Sequence, residues 1–226
     1  MRLTTSIRKW WQCALVAAAA IAATSAATAT EADAAADLLR VPAPLLEKFE
    51  RHFASAPAAP RARLDHLVAF VFAADGLGMV YDPQATLSVA ESWTSRRANC
   101  AGFTLLFLAL AREAGFRAEA QQIAETLTWR EAAGTLIRGT HVNVVVRAGG
   151  QRYVLDVVPD AILARHRPRT ISDRALAAQV QGTLAMDALA AGDVASAREG
   201  AERAVRLDPD DATLWSNLGV ARLRAN

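Results

Sequence analysis

The sequence is poor in cysteine, in histidine and in long apolar runs, and each shortage excludes a class of protein. Its 226 residues include two cysteines and four histidines, which show none of the usual ligand spacings of a metal site. Runs of about 18 strongly apolar residues do not recur, which argues against a membrane-embedded transporter. Hydrophobic residues make up 53% and charged residues 21% of the chain, which excludes a disordered or collagen-like protein. We therefore expect a folded protein with no metal and no other cofactor.

The excess of positive charge is confined to the start of the chain. Arg2, Arg8 and Lys9 are the only charged residues before Glu31, and without them 22 basic side chains face 23 acidic ones. A nearly neutral body offers no electrostatic footprint for nucleic acid or for an anionic bilayer. We predict no nucleic-acid partner.

Residues 1–29 show the three-part pattern of a secretory signal peptide. A positively charged segment (1–12) precedes a short apolar stretch (13–23) and a run of small residues (24–29), in which Ala27-Thr28-Ala29 is an acceptable cleavage site. We expect export, to the periplasm. The alternative is an uncleaved anchor in the inner membrane, and the short alanine-dominated stretch makes it the weaker reading.

Export gives the cysteine count a particular meaning. Cys13 would leave with the signal peptide, so Cys100 would be the single thiol of the mature chain. An unpaired cysteine in an exported protein indicates intermolecular pairing or a reactive thiol, although a buried inert cysteine is also common.

The mature chain divides into segments of different composition. Residues 30–60 are predicted to be a helical segment and an Ala/Pro-rich linker, with Pro42 and Pro44 breaking the helical pattern early. Three further helical segments are expected at 64–74, at 86–95 (a helix or a turn) and at 101–114, the last of which ends at Gly115. The 101–114 segment is apolar on nearly every side, so it must lie buried in the centre of a domain.

Strand patterns follow Gly115. Residues 117–123 are compatible with a strand or a helix, and 126–138 is expected to be a loop or a short helix. The strongest strand signals are 141–147 and 152–158, because two β-branched runs flank Gly149-Gly150, which is typical of a hairpin turn.

The hairpin predicts which side chains share a face. If the two glycines form the turn, Asn143 pairs with Asp156, and Asp156 lies diagonal to His141 at about 7–8 Å between backbones. The opposite face would then be apolar, with Val142, Val144, Val146, Tyr153, Leu155 and Val157. A slip of one residue would destroy this separation.

A thiol at the start of a buried helix, with a histidine and an aspartate on one sheet face, has the parts needed for acyl transfer. A thiolate is the nucleophile, and a helix N-terminus or a protonated histidine favours that form. The histidine accepts and returns the proton, and the carboxylate fixes its tautomer. The backbone N–H of Cys100 is the first candidate to stabilise the oxyanion, and the indole N–H of Trp93 is a tentative second.

Two stretches resemble the transglutaminase-like superfamily, whose members share a papain-like Cys-His-Asp triad. They are RRANCAGFTLLFLALAREAGFRAEAQ (96–121) and THVNVVVRAGGQRYVLDVVPD (140–160). The resemblance covers about 61–165 and implies an α+β domain in which a central helix packs on an antiparallel sheet.

The resemblance also implies roles for individual residues. Cys100 would be the nucleophile, His141 the base and Asp156 the orienting acid. The usual aromatic residue after a histidine-alanine pair is replaced here by Val142-Asn143, a departure that concerns the substrate class more than the triad. The structural alternatives are an inert core cysteine, a hydrogen-bonded histidine, a carboxylate bound to backbone amides and a core tryptophan. His52, His66 and His166 lack comparable context and are expected to be surface or packing residues.

The tail, residues 179–226, resembles a tetratricopeptide repeat. Gln181, Leu184 and Ala185 recur one period later as Trp215, Leu218 and Gly219, and Gly192-Asp193, Ala197, Ala204 and Pro209 fall at expected positions, while Ala201 and Arg222 depart from the pattern. One repeat and the first helix of another fit, whereas repeats usually need about three units to bury a core. We therefore expect this α-helical repeat hairpin to dock on the catalytic domain or on a protein partner. An ordinary helical hairpin is the alternative.

The sequence thus favours an exported cysteine hydrolase or acyltransferase, a peptidase or amidase with a protein or peptide substrate. A protein-crosslinking transglutaminase is one alternative. A non-catalytic envelope adaptor, which binds a protein partner through its helical repeat, is the other.

Overall fold

The computed structural model describes residues 35–123, 129–132, 135–138, 141–157 and 167–225. The predicted signal peptide and His166 lie outside these ranges, as does the C-terminal Asn226. Within the part described, the chain is a mixed α+β protein. No helix there is both long enough and apolar enough to cross a membrane.

The described elements are helices and short strands, with a run of consecutive strands in the middle of the chain and three helices at its end. A helical turn at 35–39 precedes them. The helices are α1 (Ala43–Phe53), α2 (Pro60–Phe72), α3 (Val89–Ser95), α4 (Cys100–Glu113), α5 (Asp173–Ala190), α6 (Val194–Leu207) and α7 (Ala212–Arg224). The strands are β1 (Val80–Tyr81), β2 (Arg97–Ala98), β3 (Arg117–Ile123), β4 (Trp129–Ala132), β5 (Thr135–Arg138), β6 (His141–Ala148), β7 (Gln151–Leu155) and β8 (Arg169–Ile171).

Helix α4 is the centre of the larger core. Every residue from Ala101 to Ala111 is buried, which confirms the prediction from its all-round apolar sequence. The helix ends where predicted, because Gly115 takes a left-handed backbone conformation with φ of 80°. Helix α4 shares its core with the apolar face of a four-stranded antiparallel sheet, whose strand order is β7-β6-β3-β8.

The β6–β7 hairpin has the predicted register. Ala148 pairs with Gln151 and Val144 pairs with Leu155 across a turn made by Gly149 and Gly150. Both glycines have positive φ, 57° and 79°, which the favoured two-residue hairpin turn requires. Strand β7 ends at Leu155, three residues earlier than expected, so Asp156 follows the strand instead of lying within it.

Several expected boundaries and one expected segment were wrong. Residues 126–138 were expected to be a loop or a short helix, but they contain β4 and β5, which pair with each other. These strands were not predicted because segments of four residues are too short to show a periodicity. The helical pattern is interrupted at residues 40–42, as predicted, and Pro42 is the N-cap of α1. Pro60 starts α2 inside the expected linker.

The tail packs on the preceding domain. Leu176 and Val180 of α5 belong to the larger core, whereas Ala177 and Ala178 of the same helix belong to a second core made with α6 and α7. Arg112 of α4 makes a two-point ion pair with Asp173 at the start of α5, at 2.6 and 2.9 Å. Docking on the domain, one of the two outcomes expected for this tail, is therefore observed.

Two helical glycines, one in α4 and one in α7, provide a matched test of how closely each helix is packed. A Cβ atom at Gly102 in α4 would lie 3.0 Å from the Ala98 Cβ, 3.2 Å from the Leu87 carbonyl oxygen and 3.3 Å from the Ser92 Oγ. A Cβ atom at Gly219 in α7 would meet nothing within 4 Å. We predict that Gly219→Ala raises the free energy of unfolding by about 0.5–1 kcal/mol. We predict that Gly102→Ala lowers it by about 1–3 kcal/mol. Urea denaturation of both variants measures the difference, and equal effects would contradict the packing described.

Candidate active site

Cys100 is the first residue of α4, and a buried asparagine fixes the turn that it begins. The Asn99 side chain accepts hydrogen bonds from the backbone N–H groups of Ala101 and Gly102, at 3.0 and 3.1 Å. Its amide donates to the Thr86 hydroxyl at 2.7 Å. Cys100 is partly exposed, so a reagent can reach it.

A short parallel strand pair supports the chain that enters this helix. The N–H of Val80 donates to the Arg96 carbonyl, and the N–H of Asp82 donates to the Ala98 carbonyl, both at 2.9 Å. Tyr81 therefore lies beside Ala98, two residues before Cys100. An ion pair between Arg97 and Asp82 at 2.7 Å reinforces the pairing.

The imidazole of His141 is held by a carboxylate. Its Nε2 lies 2.9 Å from both oxygens of Asp156, which confirms that the two residues share a face of the hairpin. The Asn143 amide donates to Oδ2 of the same carboxylate at 2.9 Å. The His141 and Asp156 side chains are only 8% and 11% exposed, so the pair is screened from solvent.

Thr104 joins the helix to the histidine strand. Its hydroxyl lies 2.8 Å from the Cys100 carbonyl oxygen and 3.1 Å from the carbonyl oxygen of Val142. Val142 follows His141 in β6. The first turn of α4 is thereby fixed against the beginning of β6, which brings the thiol and the imidazole together.

His141 is strongly stabilised in its protonated form. Burial opposes the charge, but the hydrogen bonds to Asp156 and Cys100 outweigh it and raise the pKa of His141 from 6.5 to about 9. His141 thus contacts Asp156 through Nε2 and also contacts Cys100. An imidazolium in contact with a carboxylate and a thiol is arranged to move a proton to and from sulfur.

Trp93, the second residue predicted to donate a hydrogen bond to the oxyanion, packs against the core. It lies in α3, its ring packs partly buried against the larger core, and Lys48 Nζ lies 5.7 Å from the ring centroid. These contacts favour a packing role, and the oxyanion role stays a prediction. His52 and His66 are stacked on each other with ring centroids 4.3 Å apart, in line with the packing role expected for them. Among the residues described, no group of three or more His, Cys, Asp or Glu side chains is placed to hold a metal ion.

Sequence reasoning missed four residues of this site. Asn143 was noticed for its register, but its hydrogen bond to Asp156 was not predicted. Asn99 carries the ordinary signal of a helix N-cap, which was available in the sequence. Thr104 and Tyr81 carry no local signal, because their roles depend on contacts between distant elements.

No protein-family model, curated protein or solved structure matches this chain. The chemical interpretation of the site therefore depends on its geometry and on the motifs around Cys100 and His141.

The paired imidazolium makes stability depend on pH. A histidine with a raised pKa contributes stability that is fully present below 6.5 and is lost as the pH rises through about 9. Asp156→Asn removes the largest stabilising partner, so we expect the pKa of His141 to fall. The difference in free energy of unfolding between wild type and Asp156→Asn should shrink as the pH rises from 6.5 through 9. Denaturation curves across that range measure it, and a difference that grows with pH would refute the pairing.

Proposed function

We propose that this protein is an exported cysteine-dependent acyl-transfer enzyme that cleaves peptide or amide bonds. The observation that carries the proposal is the buried His141, held at 2.9 Å by Asp156 and hydrogen-bonded to Cys100 at the start of a helix. The export part is supported only by the pattern in 1–29, which precedes the described residues.

The proposed reaction has two stages. The Cys100 thiolate adds to the carbonyl carbon of the substrate, and the protonated His141 gives its proton to the departing amine. The thioester that remains is attacked by water, whose proton returns to His141, and the acid product leaves Cys100 as a thiolate. Asp156 stays ionised throughout and holds the imidazole in place.

Hydrolysis is preferred to cross-linking because the resemblance of 96–121 and 140–160 extends to small members of the superfamily that are often regarded as proteolytic. Transamidation differs only in the second stage, where an amine attacks the thioester in place of water. The finer fold assignment, a papain-like or transglutaminase-like domain with a tetratricopeptide repeat, belongs to the same proposal. Its support is the cysteine that opens a central helix packed on an antiparallel sheet, and the buried Ala197 and Ala204 of α6.

The proposal predicts a covalent acyl-enzyme on Cys100. Wild-type protein incubated with a small activated thioester should gain the mass of one acyl group, located on the Cys100 peptide by mass spectrometry. Cys100→Ala should gain none. His141→Ala should acylate at least about 100-fold more slowly, since a general base contributes about 10²–10⁴-fold. His66→Ala is the matched control, because its histidine packs outside the site, and it should behave as wild type.

Adding a primary amine distinguishes hydrolysis from transamidation, which differ only in the second stage of the reaction. A hydrolase releases the acid whether or not the amine is present, whereas a transamidating enzyme releases the amide.

An acyl group that appears equally in Cys100→Ala would rule out this mechanism. Recovery of a stoichiometric protein partner that is indifferent to Cys100→Ala, with no acylation, would favour the adaptor instead.

A further inference from the structure

Tyr81 is anchored next to the nucleophile by backbone hydrogen bonds. The N–H groups of Val80 and Asp82, its two neighbours, donate to carbonyls on either side of Arg97, and Tyr81 itself is level with Ala98. From Ala98 the chain passes through the capped Asn99 directly into Cys100. The position of Tyr81 relative to the thiol is therefore fixed by secondary structure and not by a mobile loop.

The charges of the site also affect the pKa of the Tyr81 phenol. Its pKa is raised above 10, first by partial burial and then by the negative charges of Cys100 and Asp156. The phenol therefore lies within electrostatic reach of both residues. It is protonated at neutral pH, like an ordinary tyrosine, and can donate a hydrogen bond.

Exposure distinguishes Tyr81 from the triad acid and base. Its side chain is 42% exposed, although His141 and Asp156 are almost completely buried. Tyr81 therefore reaches solvent close to the start of α4, whereas the acid and the base do not. Trp93, the donor suggested by the sequence, has its ring against the core and beneath Lys48.

We infer that Tyr81 is a catalytic residue whose hydroxyl donates a hydrogen bond to the substrate oxygen as it becomes an oxyanion. This inference rests on the proposed function. When the sulfur of Cys100 bonds to the carbonyl carbon, the π electron pair moves to the oxygen. Tyr81 stabilises that negative charge and keeps its own proton. When the tetrahedral intermediate collapses, the pair returns to form the carbonyl, and the leaving group takes its proton from His141.

The test compares two reactions of the same thiol. Acylation by p-nitrophenyl acetate passes through an oxyanion and releases a burst of p-nitrophenol. Alkylation by iodoacetamide displaces iodide and forms no oxyanion. We expect Tyr81→Phe to slow the burst by about 100- to 1,000-fold, the usual effect of removing one oxyanion donor. The alkylation rate at the same pH should change by less than about twofold.

The chain contains a matched control. Tyr153 is the other of its two tyrosines, and it stacks under the guanidinium of Arg61 at 4.5 Å in β7. Tyr153→Phe should leave both the burst and the alkylation unchanged. Cys100→Ala gives the background release of p-nitrophenol, and thermal unfolding by circular dichroism shows whether each variant is folded.

Each other outcome overturns the inference in a distinguishable way. A Tyr81→Phe burst equal to that of wild type would show that Tyr81 stabilises no oxyanion. An equal loss in both reactions would show that Tyr81 acts on the thiol or on the local fold instead. A wild-type protein with no Cys100-dependent burst would overturn the proposed function itself, together with the role given to Tyr81.

Discussion

The organisation of the site depends on the cost of keeping a charged imidazole away from water. Burial of an unpaired charge costs several kcal/mol, and a group without partners would lose its proton. His141 keeps its proton because both Asp156 and Cys100 form hydrogen bonds with its imidazole. Asn143 in turn satisfies one oxygen of the carboxylate. The pair is stable only where these contacts coincide, so the backbone must bring together three separate parts of the chain: the start of α4, the start of β6 and the residue after β7.

Three features of the fold hold these parts of the chain together. The glycine turn sets the hairpin register, which places Asp156 beside His141. The Thr104 hydroxyl fixes the first turn of α4 against β6. The β1–β2 pairing and the Asn99 cap hold the segment that enters α4. Each feature holds a different part of the chain: Asp156, the first turn of α4, and the segment that precedes it.

The tail is joined to this framework through polar contacts as well as through the core. Thr86, which receives the hydrogen bond of the Asn99 cap, donates to Asp187 of α5 at 3.4 Å. Asp211 at the start of α7 accepts from Gln122 of β3 and from Gln179 of α5, at 3.3 and 2.7 Å. The C-terminal helices thus support the strand and the cap on which the site depends.

The sequence predicted those parts of the site that depend on local rules. Gly149-Gly150 between β-branched runs predicted the register, and therefore the contact between His141 and Asp156. The apolar α4 and its glycine stop were predicted for the same reason. Thr104 and Tyr81 could not be predicted, because each acts across elements that the sequence does not place in contact. The β4–β5 pair was missed because four-residue strands are too short to show a period.

The central claim is that Cys100 and His141 act together as nucleophile and proton carrier, and the alkylation rate of Cys100 with and without His141 tests it most directly. The account predicts that His141→Ala slows alkylation of Cys100 by iodoacetamide at pH 7 by at least about tenfold, whereas His66→Ala leaves the rate unchanged. Equal alkylation rates in wild type and His141→Ala would contradict the account and make Cys100 a structural residue.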